Sequence, residues 1–206
     1  MESKEFLSNL EAHIPKGALE LVWPLIMDYD FTLTVTNERK TKHGDYRMPM
    51  TVNQPHKISV NGTLNQYAFL LTFIHEVAHM HAFEKYGRRI KPHGIQWKRI
   101  FIKLANPFLK KDIWPIDILE VLINYFKNPK ASSAGDSNLT RVLRSYDNNQ
   151  DLYLEDVAEG SLFAVNSANG RWFEKGAKRR TRYLCIELET KRNFTIHGMA
   201  KVFVKE

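Results

Sequence analysis

Two histidines and a glutamate stand in the run His75-Glu76-Val77-Ala78-His79. This is the H-E-x-x-H arrangement, in which two imidazoles four residues apart share one face of a helix. Set one turn apart, both can reach a single Zn²⁺ at ~2.0–2.1 Å. Glu76 follows the first ligand and is rotated to where its carboxylate meets water rather than the metal, the position of a general base. In a chain of this composition chance places so short a pattern about 0.02 times. A helix with two surface histidines and a solvated glutamate is the bland alternative. Against it, His75 and His79 fall in line with Ala68, Leu71, Ala82 and Tyr86, read as an inward stripe where two titratable rings need a partner.

A catalytic zinc takes three protein ligands and leaves the fourth place open. His93 is the candidate third ligand, because the chain can turn at Gly87 and return it to the site just before Gly94. His81 points to another face and is read as surface or as support for a ligand. His13, His43, His56 and His197 have no comparable spacing.

The elements that must position these residues are legible around them. Thr63 with Gln66 has the spacing of a capping box and Gly87 is a natural stop, so a helix is expected over about 64–86. A second helix is expected from Gly94 to Asn106, with Trp97, Ile100, Phe101 and Leu104 on its apolar face. Pro115 suits the first turn of a third, carrying Ile116, Leu119, Leu122, Ile123 and Phe126. Upstream, Phe6, Leu10 and Ile14, then Leu19, Val22, Trp23 and Ile26, repeat at helical spacing. Phe31–Val35, residues around Tyr46–Thr51 and Ile58–Val60 read as strands, with Thr41–Asp45 a turn. Residues 128–138 have a linker's composition. Beyond 150 short strand-like runs alternate with turns: 162–165, 171–173, 182–188, 194–196 and 202–204.

The run His75–Trp97, HEVAHMHAFEKYGRRIKPHGIQW, resembles the SprT-like family of zinc metallopeptidases, which includes the Spartan proteases. His75, Glu76 and His79 match the first half of the family pattern, and His93, Gly94 and Trp97 match its H-G-x-x-[FW] half. The resemblance implies that His75, His79 and His93 bind zinc and that Glu76 activates water for peptide hydrolysis. It also implies an α+β fold. A zincin-like helical core with a small antiparallel sheet would occupy 1–130, with a linker over 131–150 and a small all-β module over 151–206. Many family members carry a zinc ribbon at that end. Here Cys185 is the single cysteine, so the module is read as ribbon-like without its metal.

Composition bounds the rest. The chain has 206 residues, 43% hydrophobic and 26% charged, which excludes disordered, collagenous and rod-like classes. The absence of a long apolar run, a secretory leader and a cysteine pair gives an expectation of a cytoplasmic protein with no membrane partner. The net charge is +7, concentrated in two stretches. Residues 85–111 hold nine Lys/Arg and no acid, and residues 171–192 hold eight against three Glu. The densest run is Lys178, Arg179, Arg180 and Arg182, flanked by Trp172, Phe173 and Tyr183. Basic charge with aromatics fits nucleic acid, single-stranded DNA preferred where bases stack, although the same residues serve a solvated face and a small β core.

The leading expectation is thus a zinc-dependent protease whose partners are protein substrates, nucleic-acid-associated ones among them. The alternatives are a nucleic-acid-associated regulatory protein with a structural or idle zinc site, and another zinc hydrolase of amides or esters. Ile58–Val60 is expected to offer an edge for an extended substrate. Tyr67, Tyr86, Arg88 and Lys91 are the groups considered for stabilising the oxyanion.

Overall fold

A computed structural model of the chain describes residues 8–37, 42–51, 53–130, 135–148, 151–165 and 170–204. The chain forms two compact units, Met1–Asp147 and Asn148–Glu206. The class is α+β, with helices and a small sheet in the first unit and an antiparallel sheet in the second.

The first unit is organised around a helix, Gln66–Tyr86. Labels run in chain order: α1 Leu19–Ile26, β1 Phe31–Thr36, β2 Gly44–Arg47, β3 His56–Asn61, α2 Gln66–Tyr86, α3 Ile95–Ala105, α4 Ile116–Tyr125 and α5 Ser137–Arg144. Asn65 caps α2, not Thr63: its Oδ1 accepts from the N–H groups of Tyr67 and Ala68 at 3.1 and 3.0 Å. Thr63 instead donates its hydroxyl to Asn61. Gly87 ends the helix at φ +70°, a conformation L side chains avoid, with its N–H on Phe83 O.

Burial on α2 is not a stripe. Phe69 through Ile74 are all buried, as are Val77, Ala78, Met80 and Ala82, while Tyr86 is exposed. A helix apolar on nearly all sides is a central helix, covered on several faces. Trp97, Phe101 and Leu104 of α3 cover one face, and β3 supplies Ile58 and Val60. Complete burial of Phe69 and Phe73 stabilises the unit by roughly 1.5–3 kcal/mol each. His81 Nε2 donates to Leu25 O at 2.7 Å and Tyr29 donates to its Nδ1 at 3.3 Å, so this histidine pins α2 to α1. On α1 the buried line is Ala18, Val22 and Ile26, whereas Trp23 is exposed. Phe6 lies outside the described residues.

The sheet order is β1-β3-β2. β2 is antiparallel to β3, but β1 is parallel to it, so the sheet is mixed and not the antiparallel one expected. The reason is topological. The chain leaves β1, crosses to the far edge as β2, and returns as β3 between them, in β1's direction. β3 is therefore paired on both sides and offers no edge, contrary to the expectation for Ile58–Val60. Among the described residues the sheet ends at β1 and β2.

Within the stretch read as linker, residues 137–144 form α5. Asp136 caps it, accepting from Asn138 and Leu139 N–H, and Leu139 and Leu143 are buried in the first unit's core. Residues 131–134, 149 and 150 of that stretch lie outside the described residues. No helix among the described residues is long and apolar enough to cross a membrane.

The second unit is a five-stranded antiparallel sheet, β4 Leu162–Ala164, β5 Phe173–Arg179, β6 Arg182–Glu187, β7 Asn193–His197 and β8 Phe203–Val204, in the order β7-β6-β5-β4-β8. Its core holds Leu154, Phe163, Phe173, Tyr183, Cys185 and Val202. Cys185 is fully buried opposite Lys175, whose ammonium donates to Val157 O and lies 4.0 Å from the Tyr183 ring. The cysteine is thus a small core residue.

Candidate metal centre

The α2 backbone carries His75 and His79 one turn apart, on the face turned toward the start of α3. After Gly87 the chain makes a short 3-10 turn, Gly87–Arg89, and returns His93 to the same place. His93 sits at φ +57°, in the left-handed region where a histidine is uncommon. The three Nε2 atoms form a nearly equilateral triangle: 3.2 Å between His75 and His79, 3.1 Å between His75 and His93, 2.9 Å between His79 and His93.

These contacts cannot all be hydrogen bonds. A neutral ring nitrogen is either an N–H or a lone pair, so two of any three are alike and repel. A cation facing three lone pairs satisfies all of them together. Tetrahedral ligation at ~2.0–2.1 Å separates ligand nitrogens by ~3.3 Å, close to the triangle observed. The donor set therefore fits zinc.

The electrostatics favour the neutral, ligating form. Burial, then the nearby His79 and His93, pushes His75 down to about 2; burial, then His93, pushes His79 down to about 4. Burial also lowers His93. The buried Trp97 ring floors the cluster, with its centroid 4.6, 5.1 and 4.8 Å from the rings of His75, His79 and His93. That contact gives the H-G-x-x-W spacing a physical purpose: one turn of α3 places the indole under the ligand that opens it.

Glu76 is buried, 6% exposed, and its carboxylate faces the backbone of Gly44 on β2. Tyr46, two residues along the same strand and so on the same face, lies parallel to His79 with the ring planes 5° apart. Burial, followed by Glu84, raises the Tyr46 phenol, which keeps its proton and donates it to His56 Nδ1 at 2.9 Å. His56 Nε2 in turn meets the Glu84 carboxylate at 3.1 Å. Sequence reasoning missed Gly44, Tyr46, His56 and Glu84, which only the packing of β2 and β3 against α2 brings to the site. The one available signal was the polar tyrosine in a strand-like run.

Of the groups considered for the oxyanion, Arg88 donates to Pro49 O at 2.9 Å and Tyr67 packs between Trp114 and Tyr146. Tyr86, Arg88 and Lys91 are exposed.

The basic run lies in the second unit, at the β5–β6 hairpin. Lys178 and Arg179 end β5, Arg180 turns at φ +54°, and Arg182 begins β6. All four are exposed, and the turn gathers charges that a straight strand would divide between faces. The flanking Phe173 and Tyr183 are buried in the sheet core, so neither presents a face to a base; Trp172 is half-buried.

Residues 25–113 match the model of the SprT-like family, and this part of the chain belongs to it. The match contains β1–β3, α2 and α3 with every residue of the histidine cluster. No curated protein and no solved structure matches the chain.

Proposed function

We propose that this SprT-like domain is a zinc-dependent protease. The observation that carries the proposal is the triangle of three Nε2 atoms with Glu76 beside it on the same helix. His75, His79 and His93 would hold the metal as neutral ligands. When bound, zinc supplies Lewis acidity toward a water and a scissile carbonyl. Glu76 accepts the water's proton and passes it to the leaving amine. Its burial keeps that carboxylate out of bulk solvent, so the proton moves over a short, fixed path. β2 is the sheet edge beside the site, and an extended substrate pairing with it would lie across the cluster. That geometry favours unfolded or extended polypeptide over a folded surface.

The exposed hairpin of Lys178, Arg179, Arg180 and Arg182 supports nucleic-acid association as a second feature, resting on phosphate contact rather than on base stacking. It would bring the protease to proteins bound on nucleic acid.

The test is Glu76→Gln. The amide keeps the shape but cannot take the proton, so the variant retains its zinc while cleavage of an unfolded protein falls by about 10²–10⁴-fold. Metal analysis and a gel-based cleavage assay read both. Equal cleavage by wild type and variant overturns the protease reading and leaves a zinc site without hydrolysis.

A further inference from the structure

We propose that Gly44 is the positioning residue for Glu76, a role that rests on the reading of Glu76 as the base. A Cβ added at position 44 would stand 2.6 Å from Glu76 Oε1, 2.9 Å from Glu76 Cγ and 2.7 Å from Thr72 Cγ2, where ordinary contact begins at 3.4 Å. Two of these three contacts are with the base itself.

Nothing else at this position demands glycine. Its φ is not positive, unlike those of Gly17, Gly87, Gly160 and Gly170. Its pairing with Val60 is regular ladder. Glycine weakens a strand and often marks a bulge, a tight bend or the close approach of another group. Here that group is the Glu76 carboxylate, seated against bare backbone and held from behind by the edge strand of the sheet. Tyr46, two residues on, meets His79. The inner face of β2 thus sets both the base and a ligand, three residues apart on α2.

A single methyl at position 44 must move Oε1 from 2.6 Å to at least 3.4 Å, or push α2 off the sheet. Either shift carries the base away from its proton. A displacement near 1 Å costs ~10²-fold in rate when it falls on a reacting group. None of these three contacts is with a metal ligand, so zinc should be retained.

The experiment compares wild type, Gly44→Ala, Glu76→Gln and the double variant, as zinc-loaded full chains cleaving an unfolded protein. Gly44→Ala is expected to hold one zinc, lose ~10²-fold in kcat and keep KM within about twofold. In the Glu76→Gln background the same substitution should change the residual rate by less than about twofold, since the group it acts through is gone. An unchanged kcat in Gly44→Ala, or a full additive loss in the double variant, overturns the proposal. If wild type and Glu76→Gln cleave equally, the protease reading has failed instead. The steric coupling is then read without activity, from thermal unfolding of the metal-free protein. Gly44→Ala should lower the midpoint, and its loss should be smaller in a Glu76→Ala background, where the carboxylate and Cγ are gone and only the Thr72 contact remains. Equal losses with and without Glu76 overturn the proposal. The Glu76→Ala, Gly44→Ala pair also serves where Gly44→Ala alone does not fold.

Discussion

His93 combines a ligand with a strained backbone, and replacing it separates the two. At φ +57° a side-chain-bearing residue costs roughly 1–2 kcal/mol relative to glycine. His93→Ala and His93→Gly both delete the imidazole, but only Gly relieves the strain. In the metal-free protein the Gly variant should therefore be the more stable of the two by ~1 kcal/mol, or ~2–4 °C for a unit of 147 residues. Zinc acts in the opposite direction. At free zinc ~100 times Kd the wild type gains ~2.7 kcal/mol, or ~5–11 °C. Loss of a supporting residue behind a ligand already costs ~10–100-fold in metal affinity, so loss of a ligand should cost at least ~10²-fold. At the same zinc concentration the variants then gain no more than ~0.4 kcal/mol, about 1 °C. A thermal-shift titration with and without zinc measures all of this on one instrument. A full zinc shift in His93→Gly would remove His93 from the ligand set. An Ala variant as stable as the Gly variant without metal would refute the left-handed geometry.

Asn65 caps the helix that bears both ligands, and its Nδ2 donates to Leu143 O at 2.8 Å and Asp147 Oδ1 at 2.6 Å. Asn65→Ala should cost about 2–4 kcal/mol, roughly 1 from the cap and the rest from two part-buried hydrogen bonds, while Asn65→Ser keeps the cap share; urea unfolding reads both. The metal-free protein should lose stability in mild acid. His75 and His79 titrate near 6.5 when unfolded but are held well below that when folded, His79 at about 4, and burial lowers His93 as well. Protons therefore bind the unfolded chain preferentially as pH falls from about 6.5 toward 4. Metal-free midpoints that stay level over that window would contradict the burial of the cluster. Changing Lys178, Arg179, Arg180 and Arg182 together to Ser should weaken nucleic-acid binding and flatten its salt dependence by up to about 4 in log–log slope, with zinc content unchanged. Anisotropy at two salt concentrations checks it, and binding equal to wild type would return the hairpin to an ordinary solvated turn.

The parts of the site that could be read in the sequence are those whose geometry is local. His75, Glu76 and His79 share one helix, and their relation follows from 3.6 residues per turn. His93 and Trp97 share the mouth of the next helix. Gly87 was readable because a left-handed C-cap needs glycine whatever surrounds it. What stayed hidden depends on contacts between distant segments. Gly44 lies 32 residues before Glu76, in a stretch that reads as a turn, and only the pairing of β2 with β3 brings it under α2. The parallel placement of β1 likewise has no local signal. α5 was readable in part: Asp136 before Ser137, with Leu139 and Leu143 four apart, is a capped amphipathic turn masked by the polar residues around it.

Asn65 rather than Thr63 caps α2 for a physical reason that bears on the site. Asn65 can satisfy α2 and, through its second amide group, tie α2 to α5, whereas a threonine has no such second arm. The helix is thus fixed at its start by a side chain that answers to tertiary structure, and along its flank by β2, where a missing side chain does the same. Between these two constraints the register of α2 leaves His75 and His79 little freedom. That rigidity lets three nitrogens stand about 3 Å apart. Three dipolar rings held this close repel one another, and the surrounding packing must keep them in place. Trp97, fully buried beneath them, and Phe101, also buried with its ring 5.4 Å from that of His75, are the groups that do so.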